Sequence, residues 1–225
     1  MGKPFRLGWV DALTGSIAVL AINLSVAWAE PITIAALGDS LTQGFGLPVA
    51  EGFVPQLEAA LRDRGADVVV VNAGVSGDTT AGGLSRIDWT LTPDVNGLIV
   101  ALGGNDLLRG LPPEMSRANL DGILDRAGEM PVLLVGMEAP GNFGPEFKAA
   151  FDAIYPDLAA KHGALYFEAF LAGLTDLDDL PRVMREYMQP DGIHPNAAGV
   201  ALIVEAIAPA VMELVAAAEA ARDPS

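Results

Sequence analysis

Ile32-Thr33-Ile34-Ala35-Ala36-Leu37-Gly38-Asp39-Ser40 sets the fold class of this chain. A nearly unbroken apolar run meets a glycine and then two polar side chains. A strand buried on both faces reads as such a run, whereas a strand with one wet face alternates. Residues 32–37 therefore read as a buried parallel strand, and Gly38 lets the chain turn sharply off its carboxyl end.

The same signal recurs along the chain. Val68–Val71 is dense in β-branched residues and reads as a second strand. Gly97–Leu102 is the third, Val132–Met137 the fourth after Pro131, and Ala164–Phe167 a short fifth. Helical patterns fill the gaps. Residues 51–64 place Phe53, Val54, Leu57 and Leu61 on one stripe, with Gly65 just past the end. Asp78–Thr90, residues 114–128 and residues 146–161 read as further helices, the last ending at His162-Gly163. A long alanine-rich helix starts at Pro195, a residue favoured in a first turn.

Strands alternating with helices predict an α/β domain, with a flavodoxin-like, doubly wound sheet of five parallel strands. Such sheets bind ligands outside the carboxyl ends of their strands. Gly38-Asp39-Ser40, Asn72-Ala73-Gly74 and Gly103-Gly104-Asn105-Asp106 each follow an apolar strand, so all three belong at one sheet edge.

Composition narrows the function. The chain has 225 residues, 51% of them apolar and 19% charged, which suits one globular domain with a proper core. A formal charge of −16 repels phosphates, so nucleic acid and anionic membrane surfaces are poor partners. There are no cysteines, which excludes disulfides, thiolate metal sites, a cysteine nucleophile and a lipidated N-terminal cysteine. Lys3 and Arg6, an apolar stretch over residues 12–28 and Ala27-Trp28-Ala29 read as a secretory signal over residues 1–29. Asp11 and Asn23 interrupt that pattern, and an uncleaved anchor is the competing reading. Cleavage before Glu30 would leave residues 30–225 as one periplasmic or secreted domain, expected to be monomeric and without stable membrane insertion.

Only two histidines are present, so the candidate general bases are few. His162 beside Gly163 reads as a helix C-terminal residue. His194 lies instead in Asp191-Gly192-Ile193-His194-Pro195, three residues after a carboxylate that can orient an imidazole. The competing role for Asp191 is to cap the helix that starts at Pro195. Ser40 is the nucleophile candidate, because a serine hydroxyl needs a neighbouring base. Its competing reading is a helix cap made by Asp39 or Ser40. Acyl transfer also needs fixed donors aimed at a developing oxyanion, and the N–H groups of Ser40 and Gly74 with the Asn105 amide are candidates.

Gly38-Asp39-Ser40, the Gly74 loop, Gly103-Gly104-Asn105-Asp106 and Asp191-Gly192-Ile193-His194 together resemble the four signature blocks of the SGNH, or GDSL-type, hydrolases. Residues 72–83 and 187–196 resemble the bacterial thioesterase I/protease I/lysophospholipase group and its arylesterase relatives. The resemblance implies a three-layer α/β/α fold and neither metal nor organic cofactor. It makes Ser40, Asp191 and His194 a triad, and Ser40, Gly74 and Asn105 the oxyanion donors. It also implies a small-molecule acyl ester as substrate. Leu107 stands where those relatives are expected to carry glycine, in a segment resembling a mobile loop over the acyl pocket; a leucine there should stiffen it. Leu107, Leu108, Met137, Ala139, Pro140 and Phe143 are the expected pocket wall. A carbohydrate O-deacetylase of the cell envelope and a non-catalytic periplasmic binding protein are the alternatives. Dinucleotide binding fails, because Gly44-Phe45-Gly46 lacks the third glycine of that fingerprint.

Overall fold

In the computed structural model, residues 1, 2 and 30–222 are described. The export signal expected over residues 1–29 lies, from residue 3 onward, outside them.

Five strands form one parallel sheet: β1 (Ile32–Gly38), β2 (Val68–Gly74), β3 (Gly97–Ala101), β4 (Val132–Val135) and β5 (Leu165–Phe167). Their order is β2-β1-β3-β4-β5, the flavodoxin-like winding anticipated from the sequence. The winding reverses between β1 and β3. There Gly38 pairs with Gly74 on one side and Ala101 on the other, which brings the three polar turns into one row.

The helices cover both faces. On one side α2 (Phe53–Asp63), α8 (Ala172–Thr175) and α10 (Ala197–Arg222) pack together; on the other lie α3 (Thr80–Thr90), α5 (Pro113–Ala127), α6 (Pro145–Asp152) and α7 (Ile154–His162). Short helices α1 (Ser40–Gln43), α4 (Gly104–Leu108) and α9 (Leu180–Glu186) complete the set. Helix α10 is long and apolar enough to cross a membrane, but its composition has another cause. Val200, Ile203, Val204, Ile207 and Val211 are buried, and the helix packs on α2 and the sheet. Each such side chain contributes about 1.5–3 kcal/mol on burial.

Several boundaries differ from the sequence reading, each for a local reason. Strand β2 continues past its β-branched run, because Asn72, Ala73 and Gly74 stay paired with Ala36, Leu37 and Gly38. Pairing with a buried neighbour overrides weak intrinsic preference. The single helix expected over residues 146–161 is two, α6 and α7, joined at Ala153. Pro156 has no N–H to offer the Asp152 carbonyl, so the ladder breaks there. Pro195 does not begin the last helix. It forms an antiparallel bridge with Met188, and Asn196 caps α10 by accepting from the Gly199 N–H at 3.0 Å.

Candidate active site

The turn after β1 presents Ser40. Asp39 caps α1, its Oδ1 accepting from the Leu41 N–H at 3.0 Å, so the capping role falls to Asp39 and the Ser40 hydroxyl is free for other work. His194 arrives from the loop before α10. Its Nε2 lies 2.9 Å from Ser40 Oγ, and its Nδ1 lies 2.7 Å from Asp191 Oδ2. The other Asp191 oxygen accepts the N–H groups of Ile193 at 3.0 Å and His194 at 3.1 Å. Asp191 thus closes its own loop and does not cap α10. A carboxylate, an imidazole and a hydroxyl stand in line, the arrangement that activates a serine.

The His194 hydrogen bond, with the Ile193 and His194 N–H groups, holds the Asp191 carboxyl down at about 2. A folded value below the usual 3.8 means that the contact favours the fold above that range. The benefit is lost as pH falls through 3.8 toward about 2. Asp191 therefore stays ionised on mild acidification. Carbon-13 NMR of the Asp191 carboxyl is expected to show the ionised shift down to about pH 4. A carboxyl that titrates at its usual value of 3.8 or above would contradict this.

Asn105 reaches the same edge from α4. Its Nδ2 donates to Asp39 Oδ2 at 3.1 Å. Burial pushes the Asp39 carboxyl up from its usual range, against the Leu41 and Asn105 hydrogen bonds that lower it. The cost of burying that charge is what orients the Asn105 amide. Gly103 turns the chain into α4 at φ 122°, and a side chain there would strike the Tyr155 hydroxyl. The residue after Asn105, Asp106, is fully buried; it accepts from Thr80 N–H at 2.9 Å, Thr80 Oγ1 at 2.6 Å and Ser116 Oγ at 3.0 Å. Asp106 therefore ties α3, α4 and α5 together beneath Asn105.

Gly74 does not belong to this site. Its N–H donates to Asn72 Oδ1 at 2.9 Å, and it lines a separate cleft with Gln43, Gly44 and Leu47. As the end residue of β2 it is held by pairing with Gly38, which keeps it short of the cavity. Gly77, three residues on, lines the cavity with Ser40 and Asn105. It has a left-handed φ of 82°, and among the described residues its N–H has no acceptor. Gly77 lies inside the same 72–83 block, which holds four glycines, and the sequence has no register to separate them.

Two further residues pin these turns. The Arg86 guanidinium donates to Gly38 O at 2.9 Å, Ala73 O at 2.8 Å and Asp78 Oδ2 at 2.6 Å, gathering the ends of β1 and β2 and the turn after Gly77. The pair is mostly buried, at 21% and 18% side-chain exposure, so removing one partner strands the other. Arg86→Met is expected to cost about 3–5 kcal/mol. That lowers Tm by about 10 °C in a thermal melt, and an unchanged melt would show the clamp to be idle. Gln189 bridges the two halves of the site. Its Nε2 donates to Phe45 O at 2.8 Å and Pro195 O at 2.9 Å, while its N–H donates to His194 O at 2.8 Å. Neither residue carries a sequence signal, since each acts through carbonyls brought close only by folding.

Ser40 and His194 open onto a cavity of about 880 Å³. All six expected wall residues, Leu107, Leu108, Met137, Ala139, Pro140 and Phe143, line it. Phe45, Phe170, Leu171 and Ile193, not singled out in the sequence, line it too. The segment carrying Leu107 is the helix α4, in which Leu107 is 8% exposed and packs into the core as well as facing the cavity.

His162 keeps the structural role expected of it, with Nε2 2.6 Å from Asp121 Oδ1 and Gly163 left-handed at φ 65°. Asp121, Asp125 and His162 place ligand-type atoms within 4.8 Å of one another. Lys161 already occupies both Asp121 oxygens, at 2.6 and 2.7 Å.

Known proteins resemble this chain over most of its length. The model of the GDSL-like lipase/acylhydrolase family matches residues 36–202. Esterase TesA of Pseudomonas aeruginosa is 37% identical over 198 residues, covering 87% of this chain and 95% of that protein. An arylesterase of Vibrio mimicus is 33% identical over 195 residues, covering 84% and 93%. The crystal structure of AlinE4, an SGNH-hydrolase family esterase, superposes with a TM-score of 0.67 at 45% identity, covering 83% of this chain and 98% of that one. A family match across most of the domain, joined to a serine, an imidazole and a carboxylate in line at the sheet's switch point, places this chain in the GDSL-like lipase/acylhydrolase family as an ester hydrolase.

Proposed function

We propose that this chain is a serine esterase for small to medium acyl esters, working through an acyl-enzyme on Ser40. The observation that carries the reading is the line Ser40 Oγ–His194–Asp191, at 2.9 and 2.7 Å, opening onto an apolar cavity. Ser40 Oγ attacks the carbonyl carbon as His194 Nε2 takes its proton. Asp191 holds the tautomer and stabilises the imidazolium. The N–H groups of Ser40 and Gly77 and the Asn105 amide meet the oxyanion, with Gly77 in place of Gly74. His194 then protonates the departing oxygen or sulfur. Water, deprotonated by the same imidazole, releases the acid and restores Ser40.

The acyl chain is assigned to the wall of Leu107, Leu108, Met137, Ala139, Pro140 and Phe143. Apolar lining of this kind suits an acyl chain better than a carbohydrate, whose hydroxyls would be left unpaired against it. The expected export signal places the enzyme in the periplasm or outside the cell. A panel of nitrophenyl esters from acetate to palmitate, a lysophospholipid, an acyl-CoA and an acetylated sugar tests the reading. Nitrophenyl esters are expected to be cleaved with a burst of nitrophenol from the first turnover. Preference for the acetylated sugar would return the deacetylase reading.

A further inference from the structure

Glycine is the residue least restrained by its own side chain, so a backbone donor on a glycine needs something outside it to fix its direction. Gly77 is such a donor in the reaction proposed for Ser40, and a residue that orients it matters only under that reading. It sits at the third position of a turn closed by the Asp78 N–H donating to Val75 O at 3.1 Å, with a left-handed φ of 82°. That position of a type II turn calls for a positive φ. Val75, Ser76 and Gly77 are all exposed, so packing does little to hold the turn.

Three contacts hold the neighbours of Gly77. The Val75 N–H donates to Gly38 O at 3.0 Å, Ser76 Oγ donates to Gln43 Oε1 at 2.9 Å, and Asp78 Oδ2 accepts from Arg86 at 2.6 Å. Gly77 itself makes one hydrogen bond among the described residues. Its carbonyl accepts from a guanidinium nitrogen of Arg109 at 2.7 Å.

Arg109 also reaches the other donor. It ends α4, and its own N–H donates to the Asn105 carbonyl at 3.1 Å. One residue therefore grips the backbone of both Asn105 and Gly77, which must converge on a single oxygen with the Ser40 N–H. Helix α4 is itself anchored through Asp106 to Thr80 and Ser116. Among the described residues the Arg109 guanidinium pairs with no carboxylate, whereas Arg62, Arg86 and Arg117 each do. Gly77 and Asn105 line the cavity and Arg109 does not, so it acts through the donors and not on the substrate. We propose that Arg109 is a positioning residue of the oxyanion site, holding the Gly77 peptide in register with Asn105.

Arg109→Met and Arg109→Ala are each expected to lower kcat for nitrophenyl acetate, a neutral ester, by about tenfold, with KM changed less than about twofold. A misdirected donor costs less than the roughly 10²–10³ of a missing one. Both half-reactions pass through an oxyanion, so kcat reads the loss whichever of them limits. A trifluoromethyl ketone, which forms an oxyanion adduct on a serine, is expected to bind about tenfold more weakly. Arg109 is exposed, so Tm is expected to stay within about 2 °C of wild type. An unmoved kcat, a loss confined to KM, or an unchanged ketone affinity overturns the proposal. So does a variant that fails to fold or melts more than about 5 °C early, which would make Arg109 a support of the fold. Fluorophosphonate labelling of the wild-type protein separates the two levels. Labelled Ser40 with an unmoved kcat in the Arg109 variants defeats the positioning role alone, whereas absent labelling defeats the serine mechanism beneath it.

Discussion

Ser40→Ala is expected to lower kcat by on the order of 10⁶-fold while the protein folds and binds substrate much as before. The size follows from the way the three side chains act as a unit. In the proposed mechanism alanine removes the oxygen that forms the covalent intermediate, and neither His194 nor Asp191 can supply another nucleophile in its place. The residue left behind still has its backbone N–H, so part of the oxyanion site survives. The fold has little reason to suffer. Among the described residues Ser40 Oγ makes its one hydrogen bond to His194, and the cap on α1 is made by Asp39. Stopped-flow and steady-state rates on a nitrophenyl ester, with circular dichroism as the control for folding, measure both halves of the expectation. A folded Ser40→Ala protein that retains more than about a hundredth of wild-type kcat would remove Ser40 from the reaction.

Asn105→Ala is expected to lower kcat by about 10²–10³, with a much smaller change in KM. One oxyanion donor is worth about 2.7–4 kcal/mol in the transition state. Its structural hydrogen bond to Asp39 is worth about 1.5–3 kcal/mol as a bond to a charged group. The loss of stability therefore stays within the usual margin of about 5–15 kcal/mol for a domain, and the kinetic effect is read on folded protein. The Asp39 carboxylate, already raised by burial, loses one of its two donors in this variant. Thermal melts therefore show a modest fall beside the large kinetic one. A loss confined to stability, with kcat within about threefold of wild type, would make Asn105 a strut for Asp39 and no more.

Much of the fold and of the proposed triad is legible in the amino-acid sequence because both are written locally. The run from Ile32 to Leu37 needs no partner to read as a buried strand, and Asp191 and His194 lie three residues apart in one loop. What escaped was written between segments. Gly74 and Gly77 look alike along the chain. They differ because β2 holds its pairing with β1 as far as Gly74, which ties the first glycine to the sheet and leaves the second at the cavity. Arg86 and Gln189 work on carbonyls that folding delivers from Gly38, Ala73 and Phe45. Phe45 belongs to a glycine-rich turn with no signal of its own, and its place on the imidazole depends on a contact with a loop near the other end of the chain. The helix α4 is too short for periodicity to show, so Leu107 read as loop although it is packed into the core.

The central claim is that Ser40 forms the covalent intermediate. Intact-protein mass spectrometry after treatment with a fluorophosphonate, followed by peptide mapping, tests it most directly. The expected result is a single adduct on the peptide carrying Gly38-Asp39-Ser40, lost in Ser40→Ala and slowed in His194→Ala. An adduct on any other residue, or one that persists in folded Ser40→Ala protein, would contradict it.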